Sequence, residues 1–438
     1  MARKAGCICL HRPKIQANRR NLTSEFHFFN GQLQAEGVPL SAIADEFSTP
    51  TFVYSKASIV TAYENFQNAF SGHEHLICYS VKANSNLGIL SLLASMGSGF
   101  DIVSGGELHR VITAGGDPAK VVFSGVGKQA WEIQLALESG IACFNLESAS
   151  ELHLLNALAA KLGKVAAISV RVNPDVDANT HPSIATGLKA NKFGVSARDA
   201  MMIYRKAQQL PNIEIRGIDY HIGSQITDLS PLIDSLTSIL SLVDELEDMG
   251  IILSHIDVGG GIGILYKDEQ TIDIDDYASS ILRILDKRKL RLLFEPGRFI
   301  VGNAGILLTR VITIKQNGDK KFVVVDAAMN DLIRPALYQS WQRIENVRQS
   351  DEPTQNCDIV GPVCESADFL ARNRRLFVRE GDLLAIFSSG AYGFVMSSNY
   401  NSRNRAAELI VSGTDVHCVR KRESIADQIR LESVLDSD

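Results

Sequence analysis

The sequence predicts a (β/α)8 barrel followed by a C-terminal, mainly β domain. At 438 residues the chain is long enough for about two or three domains. Short apolar runs alternate with helical periods in its first part, as in an eight-stranded α/β barrel, and these runs cover residues 76–83, 99–104, 120–125, 141–147, 165–173, 213–222, 253–258 and 290–295. From Phe299 onward β-like runs dominate, which predicts a separate β domain. A doubly wound open sheet is the alternative, with residues 51–54 as a ninth strand.

The pattern divides the chain into four segments. Residues 1–24 carry six Lys or Arg side chains and no acidic one. Their apolar stretch is too short for a signal-peptide core, so we expect a disordered leader, with a transit peptide as the alternative. Residues 25–50 predict a short strand, a turn and a helix that pack on the β domain. We assign residues 51–298 to the barrel and residues 299–438 to the β domain.

Composition excludes several functional classes. A net charge of −6 and a pI near 6.0 argue against nucleic acid and anionic membranes as partners. No apolar run approaches the roughly 20 residues of a membrane-spanning helix. The seven cysteines are widely spread, and Cys7-x-Cys9 lacks the further ligands that would complete a zinc site. We therefore expect reduced thiols, no metal and a cytoplasmic location.

Polar residues follow each of the eight predicted barrel strands. Active sites of such barrels lie at the carboxyl ends of the strands, so these side chains should converge on one mouth. They are Lys82, Asp101 with Ser104, Ser124, Asn145 with Glu147, Arg171 with Asn173, His221 with Ser224, Gly259 to Gly261, and Glu295 with Arg298. The pattern gives no role to Asp101, Ser104 or Arg171.

Lys82 ends the first of these strands, which is unusual because burying an unpaired ammonium is costly. An edge-strand lysine that reaches solvent is the ordinary explanation. The functional explanation is a lysine that loses its proton and forms a Schiff base, which desolvation and nearby cations favour. Lys82 alone does not decide between them.

Two motifs late in the predicted barrel suit a phosphate-bearing cofactor. Gly259-Gly-Gly261 follows the seventh strand, where barrels hold phosphates on backbone N–H groups; a simple tight turn is the alternative. Glu295-Pro-Gly-Arg298 follows the eighth strand. Its glutamate could hold a protonated pyridine nitrogen, and its arginine offers a planar fork to a carboxylate or phosphate.

The sixth strand and the β domain add further candidates. His221 could stack on an aromatic cofactor while Ser224 donates to its phosphate, although a structural histidine would look the same. In the β domain, Gly361-Pro-Val-Cys364-Glu365 places a thiol beside a carboxylate, and Ser389-Gly-Ala-Tyr392-Gly carries a glycine-flanked tyrosine. Their distance in sequence from Lys82 allows two explanations: the domain folds back over its own barrel, or it reaches a partner subunit.

Taken in order, these motifs resemble the diaminopimelate decarboxylases, which are alanine-racemase-like (fold type III) pyridoxal-phosphate enzymes. The matching motifs, over roughly residues 25–412, are Tyr79-Ser-Val-Lys82-Ala-Asn84, Lys192-Phe-Gly194, His221-Ile-Gly-Ser-Gln225, Gly259-Gly-Gly261, Glu295-Pro-Gly-Arg298, Cys364-Glu-Ser-Ala-Asp368 and Gly390-Ala-Tyr-Gly393. The resemblance implies a homodimer with pyridoxal 5'-phosphate bound in the barrel, and decarboxylation of meso-2,6-diaminopimelate to L-lysine and CO2.

The resemblance also implies individual roles. Lys82 would form the Schiff base, and Cys364 of the partner subunit would protonate Cα. Further cofactor contacts would come from His221, Ser224, Gly259, Gly260, Gly261, Glu295, Arg298 and Tyr392. In the family's dimers Cys364, Glu365 and Tyr392 enter the partner's site.

Charge selects the substrate within this class. Arg298 and Arg334 suit a distal carboxylate, Glu365 suits the distal ammonium, and Tyr338 and Tyr392 complete the substrate contacts. Ornithine lacks the distal carboxylate, so these residues favour diaminopimelate. The alternatives are a decarboxylase of another basic amino acid (ornithine or arginine type), a racemase, a non-catalytic relative, and a phosphate-binding barrel enzyme without pyridoxal.

Overall fold

The computed structural model describes residues 25–177, 186, 191–286 and 288–435. The predicted basic leader at 1–24 lies outside the described residues. The chain begins with a small antiparallel sheet and one helix, and its first elements are β1 (Phe26–Phe29), β2 (Gln32–Ala35), β3 (Val38–Pro39), α1 (Leu40–Phe47) and β4 (Thr51–Ser55). Within the described residues, no helix is both long and apolar enough to span a membrane.

The predicted (β/α)8 barrel is confirmed. Eight parallel strands close on themselves, because the last strand pairs with the first through Phe294 and Ile77. These strands are β5 (His75–Ser80), β6 (Gly99–Ile102), β7 (Val121–Phe123), β8 (Cys143–Leu146), β9 (Ala166–Arg171), β10 (Ile213–Asp219), β11 (His255–Asp257) and β12 (Arg291–Phe294). Each lies inside one of the eight apolar runs or within a residue of it, so the sequence pattern located all eight strands.

Helices surround the barrel and begin directly after the strand-end loops. They are α2 (Lys56–Ala69), α3 (Leu87–Ser95), α4 (Gly105–Thr113), α5 (Ala130–Ser139), α6 (Ala149–Lys161), α7 (Ala197–Ala207), α8 (Ser230–Asp248) and α9 (Ile274–Leu285). Ser104, Ser148 and Ser196 cap three of them, since each side chain accepts a hydrogen bond from a backbone N–H three residues later. Ser104, which has no role in the sequence-based prediction, is therefore the N-cap of α4.

The β domain follows a short helix, α10 (Arg298–Val301). Its elements are β13 (Gly305–Asn317), β14 (Lys320–Val325), α11 (Arg334–Tyr338), β15 (Ile344–Asn346), β16 (Gln355–Val360), β17 (Phe369–Leu376), β18 (Leu383–Ile386), β19 (Ala407–Ser412), β20 (Asp415–Arg420) and α12 (Ile425–Ile429). The strand order is β17-β16-β14-β13-β4-β19-β20, with β18 and β15 branching from β13. A mainly β C-terminal domain is therefore confirmed.

One strand was assigned to the wrong domain. Residues 51–54 were placed at the start of the barrel, or as a ninth strand of an open sheet, but β4 lies between β13 and β19 of the β domain. All five of its side chains are buried. Strand β4 fills the gap between two distant strands, so the β domain is built from both ends of the chain and the barrel region begins with α2.

The segment before β4 packs on the same sheet. Phe26, Leu33 and Leu40 share an apolar cluster with Val53 and with side chains of β13, β18 and β19. On the other side, α2 packs on the barrel, where Phe66 contacts Phe294 with a ring-centroid distance of 5.1 Å. The two domains therefore meet along β4 and α2, next to the mouth of the barrel.

Candidate active site

Lys82 lies in a single 3-10 turn, Val81–Ala83, directly after β5. Its Nζ is 2.6 Å from Asp101 Oδ2 at the end of β6, and that oxygen also accepts a hydrogen bond from Ser80. The turn is held from the β domain, because the backbone N–H of Tyr392 donates to the Ala83 carbonyl (2.8 Å) and Asn84 donates to the Gly390 carbonyl (3.0 Å). Lys82 is thus fixed from two domains.

The electrostatics of Lys82 differ from the sequence-based expectation. Burial alone would lower the pKa of its ammonium, but the negative charges of Asp101 and Glu295 outweigh burial and raise the pKa. The functional explanation of the strand-end lysine expects desolvation and nearby cations to favour the neutral amine. The structure instead holds the ammonium against a carboxylate, so a proton must leave this pair before Lys82 can act as a nucleophile.

Glu295 ends β12 deep in the barrel mouth and is part of a buried acidic cluster. One carboxylate oxygen from each of Asp219, Asp257 and Glu295 lies within 4.8 Å of the others. Burial raises the pKa of all three, and repulsion from neighbouring carboxylates that include Asp101 raises it further, for Asp257 to about 7. Carboxyl groups this close are not all ionised at the same time unless a cation lies between them, so they share protons. Glu295 is one of the groups that can hold such a proton.

The glycine loop after β11 closes tightly on its neighbours. Gly259 and Gly261 have φ values of +64° and +101°, and a Cβ added at Gly260 would lie 2.1 Å from the Glu295 carbonyl oxygen. Only glycine permits this approach. The N–H of Gly260 donates to His221 Nδ1 (3.2 Å). The loop therefore presents bare backbone beside the His221 ring.

His221 is held as a neutral imidazole. Burial lowers the pKa of His221, and the positive charges of Arg171 and Lys82 lower it further. Because Nδ1 accepts from Gly260, any ring proton lies on Nε2. A neutral ring of this kind is suited to stacking against a flat aromatic group.

Arg298 connects the loops that follow three strands. Its Nη2 donates to Ser224 Oγ after β10 (3.1 Å), and its Nη1 donates to the hydroxyl of Tyr266 after β11 (2.5 Å). Its guanidinium also lies 4.8 Å from the Tyr392 ring centroid. Tyr392 has φ +56°, an uncommon conformation outside glycine that is often found at functional sites.

Arg334, the first residue of α11, lies beside Arg298 and is also buried. Its guanidinium is 5.3–5.9 Å from the ring centroids of Tyr266, Tyr338 and Tyr392. Burial lowers the pKa of Arg334, and the charge of Arg298 contributes to the decrease. Within the described residues no carboxylate lies within ion-pair distance of either arginine. The two cations are thus surrounded by tyrosine rings rather than by anions.

The structure brings most of the predicted site residues together. One cavity is lined by Lys82, His221, Ser224, Gly259, Gly260, Gly261, Glu295, Arg298 and Tyr392. Arg334 and Tyr338 line a second cavity, shared with Gln225, Tyr266 and Trp341. Tyr266 contacts Arg298 of the first cavity, so the two cavities adjoin.

The two β-domain motifs lie in different places relative to the Lys82 cavity. Cys364 and Glu365 are exposed, Cys364 is held by a hydrogen bond from its N–H to Asn401, and neither lines the Lys82 cavity. Tyr392, which was predicted to enter the partner's site, instead lines the cavity of its own chain. That part of the prediction is wrong, because the hydrogen bond to Ala83 ties the Tyr392 loop to the chain's own Lys82 turn.

Two residues of the site were missed or left without a role. Asp101 was noted only as a strand-end residue, although its position on the strand next to Lys82 was a usable signal for an ion pair. Tyr266 follows the glycine loop by five residues and carried no signal, since contact with two arginines distant in sequence becomes visible only in the fold.

Comparison with known proteins decides the family. Residues 56–302 match the family model "Pyridoxal-dependent decarboxylase, pyridoxal binding domain". The chain is 56% identical to the diaminopimelate decarboxylase of Pseudomonas fluorescens over 411 residues, which are 94% of this chain and 99% of that protein. The chain belongs to the diaminopimelate decarboxylase family. The Vibrio cholerae enzyme of the same name is 54% identical over 93% of this chain and 98% of its own length.

Solved diaminopimelate decarboxylases share the whole fold. The structure from Helicobacter pylori, complexed with L-lysine, superposes with a TM-score of 0.87 at 44% identity and covers 90% of this chain and 99% of its own. The structure from M. jannaschii, also in complex with L-lysine, gives a TM-score of 0.90 at 39% identity over 94% of this chain and 98% of its own. Both domains of this chain therefore have the same fold as the domains of two diaminopimelate decarboxylases whose structures contain L-lysine.

Proposed function

We propose that this protein decarboxylates meso-2,6-diaminopimelate to L-lysine and CO2, the last step of lysine biosynthesis, with pyridoxal 5'-phosphate as cofactor. The observation that carries the proposal is the union of two features at one barrel mouth. One is a half-buried lysine in the same cavity as a buried glutamate and a glycine loop; the other is a pair of arginines that have no carboxylate partner among the described residues. Membership of the diaminopimelate decarboxylase family supports the same reaction.

The residues of the first cavity fit pyridoxal phosphate. A Cβ added at Gly259, Gly260 or Gly261 would lie 2.1–2.6 Å from a backbone carbonyl oxygen, so the loop offers bare backbone, as a phosphate cradle requires. Among the described residues, the buried Nε of Arg298 has no hydrogen-bond partner. We assign the cofactor to Lys82, His221, Ser224, the three glycines, Glu295, Arg298 and Tyr392. When bound, the cofactor supplies an electron sink for the pair of electrons left on Cα as CO2 departs.

Glu295 and His221 prepare this chemistry. Because burial and the neighbouring carboxylates raise the pKa of Glu295, its carboxyl can provide a proton at a pyridine nitrogen and keep the ring electron-poor. The neutral imidazole of His221 offers a face to the ring without adding a positive charge. Asp101 accepts a hydrogen bond from the Lys82 ammonium and aims it into the cavity.

Arg334 and Tyr338 define the substrate class. Diaminopimelate carries a second carboxylate and a second ammonium at its unreacting end. Arg334 is a buried cation with no carboxylate partner in the described residues, so a substrate carboxylate is the anion that balances it. Tyr338 lies against the same guanidinium and can add a hydrogen bond. Ornithine and arginine have no distal carboxylate and leave Arg334 unpaired.

Cys364 and Glu365 complete the site from a second subunit. Both side chains are exposed and lie outside the cavity of their own chain. In a homodimer Cys364 protonates Cα after CO2 leaves, and Glu365 binds the distal ammonium. The five cysteines in the described residues are free thiols, which supports a reducing, cytoplasmic setting.

Absorbance and CO2 release together test the proposal. Purified protein with pyridoxal phosphate should show a lysine-linked band near roughly 420 nm, and Lys82→Ala should lose it along with activity. CO2 release should be fastest from meso-diaminopimelate and much slower from ornithine or arginine. A band with faster release from ornithine would move the substrate to the other basic amino acids. Absence of the band would refute the cofactor.

A further inference from the structure

We infer that Tyr266 is a positioning residue that fixes both arginines of the site, one through its hydroxyl and the other through the face of its ring. The inference rests on the proposed function, because it concerns how the cofactor phosphate and the distal carboxylate are bound. Tyr266 itself lies in the loop between β11 and α9 and is 8% exposed.

The first contact is a charged hydrogen bond. The hydroxyl of Tyr266 accepts from Arg298 Nη1, while Arg298 Nη2 donates to Ser224. The two bonds fix the plane of the guanidinium, and the buried Nε, which has no hydrogen-bond partner among the described residues, is left for a ligand oxygen. Without the tyrosine oxygen, Arg298 would keep Ser224 as its one side-chain hydrogen-bond partner in the described part of the chain and could rotate away from the phosphate position.

The second contact is with Arg334. The guanidinium of Arg334 lies 5.7 Å from the centroid of the Tyr266 ring, and its buried Nε likewise has no hydrogen-bond partner in the part of the chain that the structure describes. A cation beside an aromatic face is stabilised by the ring quadrupole without being neutralised. Tyr266 therefore helps to keep two guanidinium groups close together, each free to bind an anion.

The loop that carries Tyr266 is itself fixed at two points. Gln225, next to Ser224, donates from Nε2 to the carbonyl of Ile264 (2.6 Å) and accepts from the Ile264 N–H (3.1 Å). Beyond it, Glu269 accepts from the N–H groups of Tyr266 and Lys267 (2.9 and 2.8 Å). A loop with no interior role would not need both anchors.

These contacts form a closed ring. It runs from Ser224 after β10 to Arg298 after β12, to Tyr266 after β11, and back along that loop to Gln225 beside Ser224. Movement of any one loop would change the other two. The cofactor end and the distal substrate end are therefore positioned by one connected unit, with Tyr266 at its centre.

Two substitutions separate the two contacts. Tyr266→Phe keeps the ring and removes the hydroxyl, so the dissociation constant for pyridoxal phosphate should rise about tenfold, as expected for one charged hydrogen bond. The KM for diaminopimelate should change less. Tyr266→Leu removes the ring as well, and should also raise that KM about tenfold. Both quantities should change more than kcat measured at saturating cofactor and substrate.

The matched control is Tyr204→Phe. Tyr204 is a buried tyrosine that lines neither cavity, and its hydroxyl donates to the Gly217 carbonyl and accepts from the Val170 N–H. Loss of this hydroxyl should lower the melting temperature without changing the dissociation constant for pyridoxal phosphate or the KM for diaminopimelate. If Tyr266→Phe melts too early to assay, Gln225→Leu provides the second test. This substitution keeps the Tyr266 side chain but removes one anchor of its loop, so the dissociation constant for pyridoxal phosphate and the KM for diaminopimelate should both rise.

The outcomes distinguish the two proposals. Wild-type cofactor affinity in Tyr266→Phe, or wild-type KM in Tyr266→Leu, would overturn the positioning role while leaving the decarboxylase intact. A wild-type protein that binds pyridoxal phosphate but releases no CO2 from diaminopimelate would instead refute the proposed function. In that case the dissociation constant of Tyr266→Phe for pyridoxal phosphate still tests whether the Tyr266 hydroxyl positions Arg298.

Discussion

The two sides of the barrel mouth differ in how their positive charges are balanced. On one side Lys82 lies 2.6 Å from Asp101, and Arg171 lies 3.2 Å from Glu147 and 3.9 Å from Asp219. On the other side, Arg298 and Arg334 contact tyrosine rings, and the described residues offer them no carboxylate within ion-pair distance. Within the described residues, the protein thus supplies carboxylates to its cations on the first side only.

The difference indicates on which side ligand anions bind. An uncompensated buried cation raises the free energy of the folded protein, because it has lost water and gained no counter-charge. A phosphate or carboxylate that binds there recovers this cost, so the arginine side is built to bind anions. On the lysine side, Asp101 already holds the cation in place.

A second subunit would change this comparison if it supplied a carboxylate to the arginine side, since Glu365 of a partner could also approach the arginines. Mixing Lys82→Ala with Cys364→Ala subunits tests whether sites are shared. Each variant alone should be almost inactive. After exchange, half of the dimers are mixed and each carries one intact site, so about a quarter of wild-type activity should return.

The control for mixing is a pair of variants in the same barrel. Lys82→Ala mixed with Glu295→Ala restores no site if each barrel serves as a unit. Failure of the Lys82 and Cys364 variants to complement each other, with subunit exchange demonstrated, would place Cys364 in its own chain's site or remove it from the reaction.

Matched arginine substitutions should separate the two sides by stability. Arg171→Met leaves two buried carboxylates without their cation and should lower the free energy of unfolding by about 3–5 kcal/mol. Arg334→Met removes a cation that has no carboxylate partner, so that free energy should change by less than about 1 kcal/mol. Urea unfolding of the two variants without added ligand gives both values. Equal losses would mean that Arg334 is already compensated.

The sequence predicted the barrel because its eight apolar runs report burial on both faces of parallel strands. The same local signal misplaced β4, whose five buried residues look like any interior strand. Domain membership depends on partners about 250 and 350 residues away in the chain, which are β13 and β19. A local pattern does not carry that information.

The site was likewise predicted only as far as local sequence patterns reach. Strand-end positions and motifs identified Lys82, His221, Glu295 and Arg298, which the structure brings into one cavity. Partnerships between loops were not predictable, since the contact of Tyr266 with both arginines depends on the closed barrel. The remoteness of Tyr392 in sequence left two explanations open and the family resemblance favoured the partner's site, whereas in the structure Tyr392 lines the cavity of its own chain.

A smaller effect concerns pH. The pKa of Asp257 is raised to about 7 by burial and by the neighbouring carboxylates, above its usual value near 4. Between these two values the folded protein binds a proton that the unfolded chain has released. Stability should therefore fall as pH rises from about 4 to 7, by up to about 1.4 kcal/mol per pH unit for one proton.

Asp257→Asn isolates this contribution. The amide oxygen can still accept from the Gly259 N–H, as Asp257 does at 3.0 Å, but it binds no proton. Unfolding measured at pH 5, 6 and 7 should give a flatter profile for the variant than for the wild type. A steeper profile would mean that another group in the cluster holds the proton.

Two competitive inhibitors distinguish whether Arg334 is reserved for a ligand carboxylate. L-lysine and 1,5-diaminopentane differ only by that carboxylate. The wild-type protein should bind L-lysine about a hundredfold more tightly, as expected for a buried charge pair. In Arg334→Met this preference should nearly vanish, with little change for 1,5-diaminopentane. An undiminished preference for L-lysine in the variant would contradict the account.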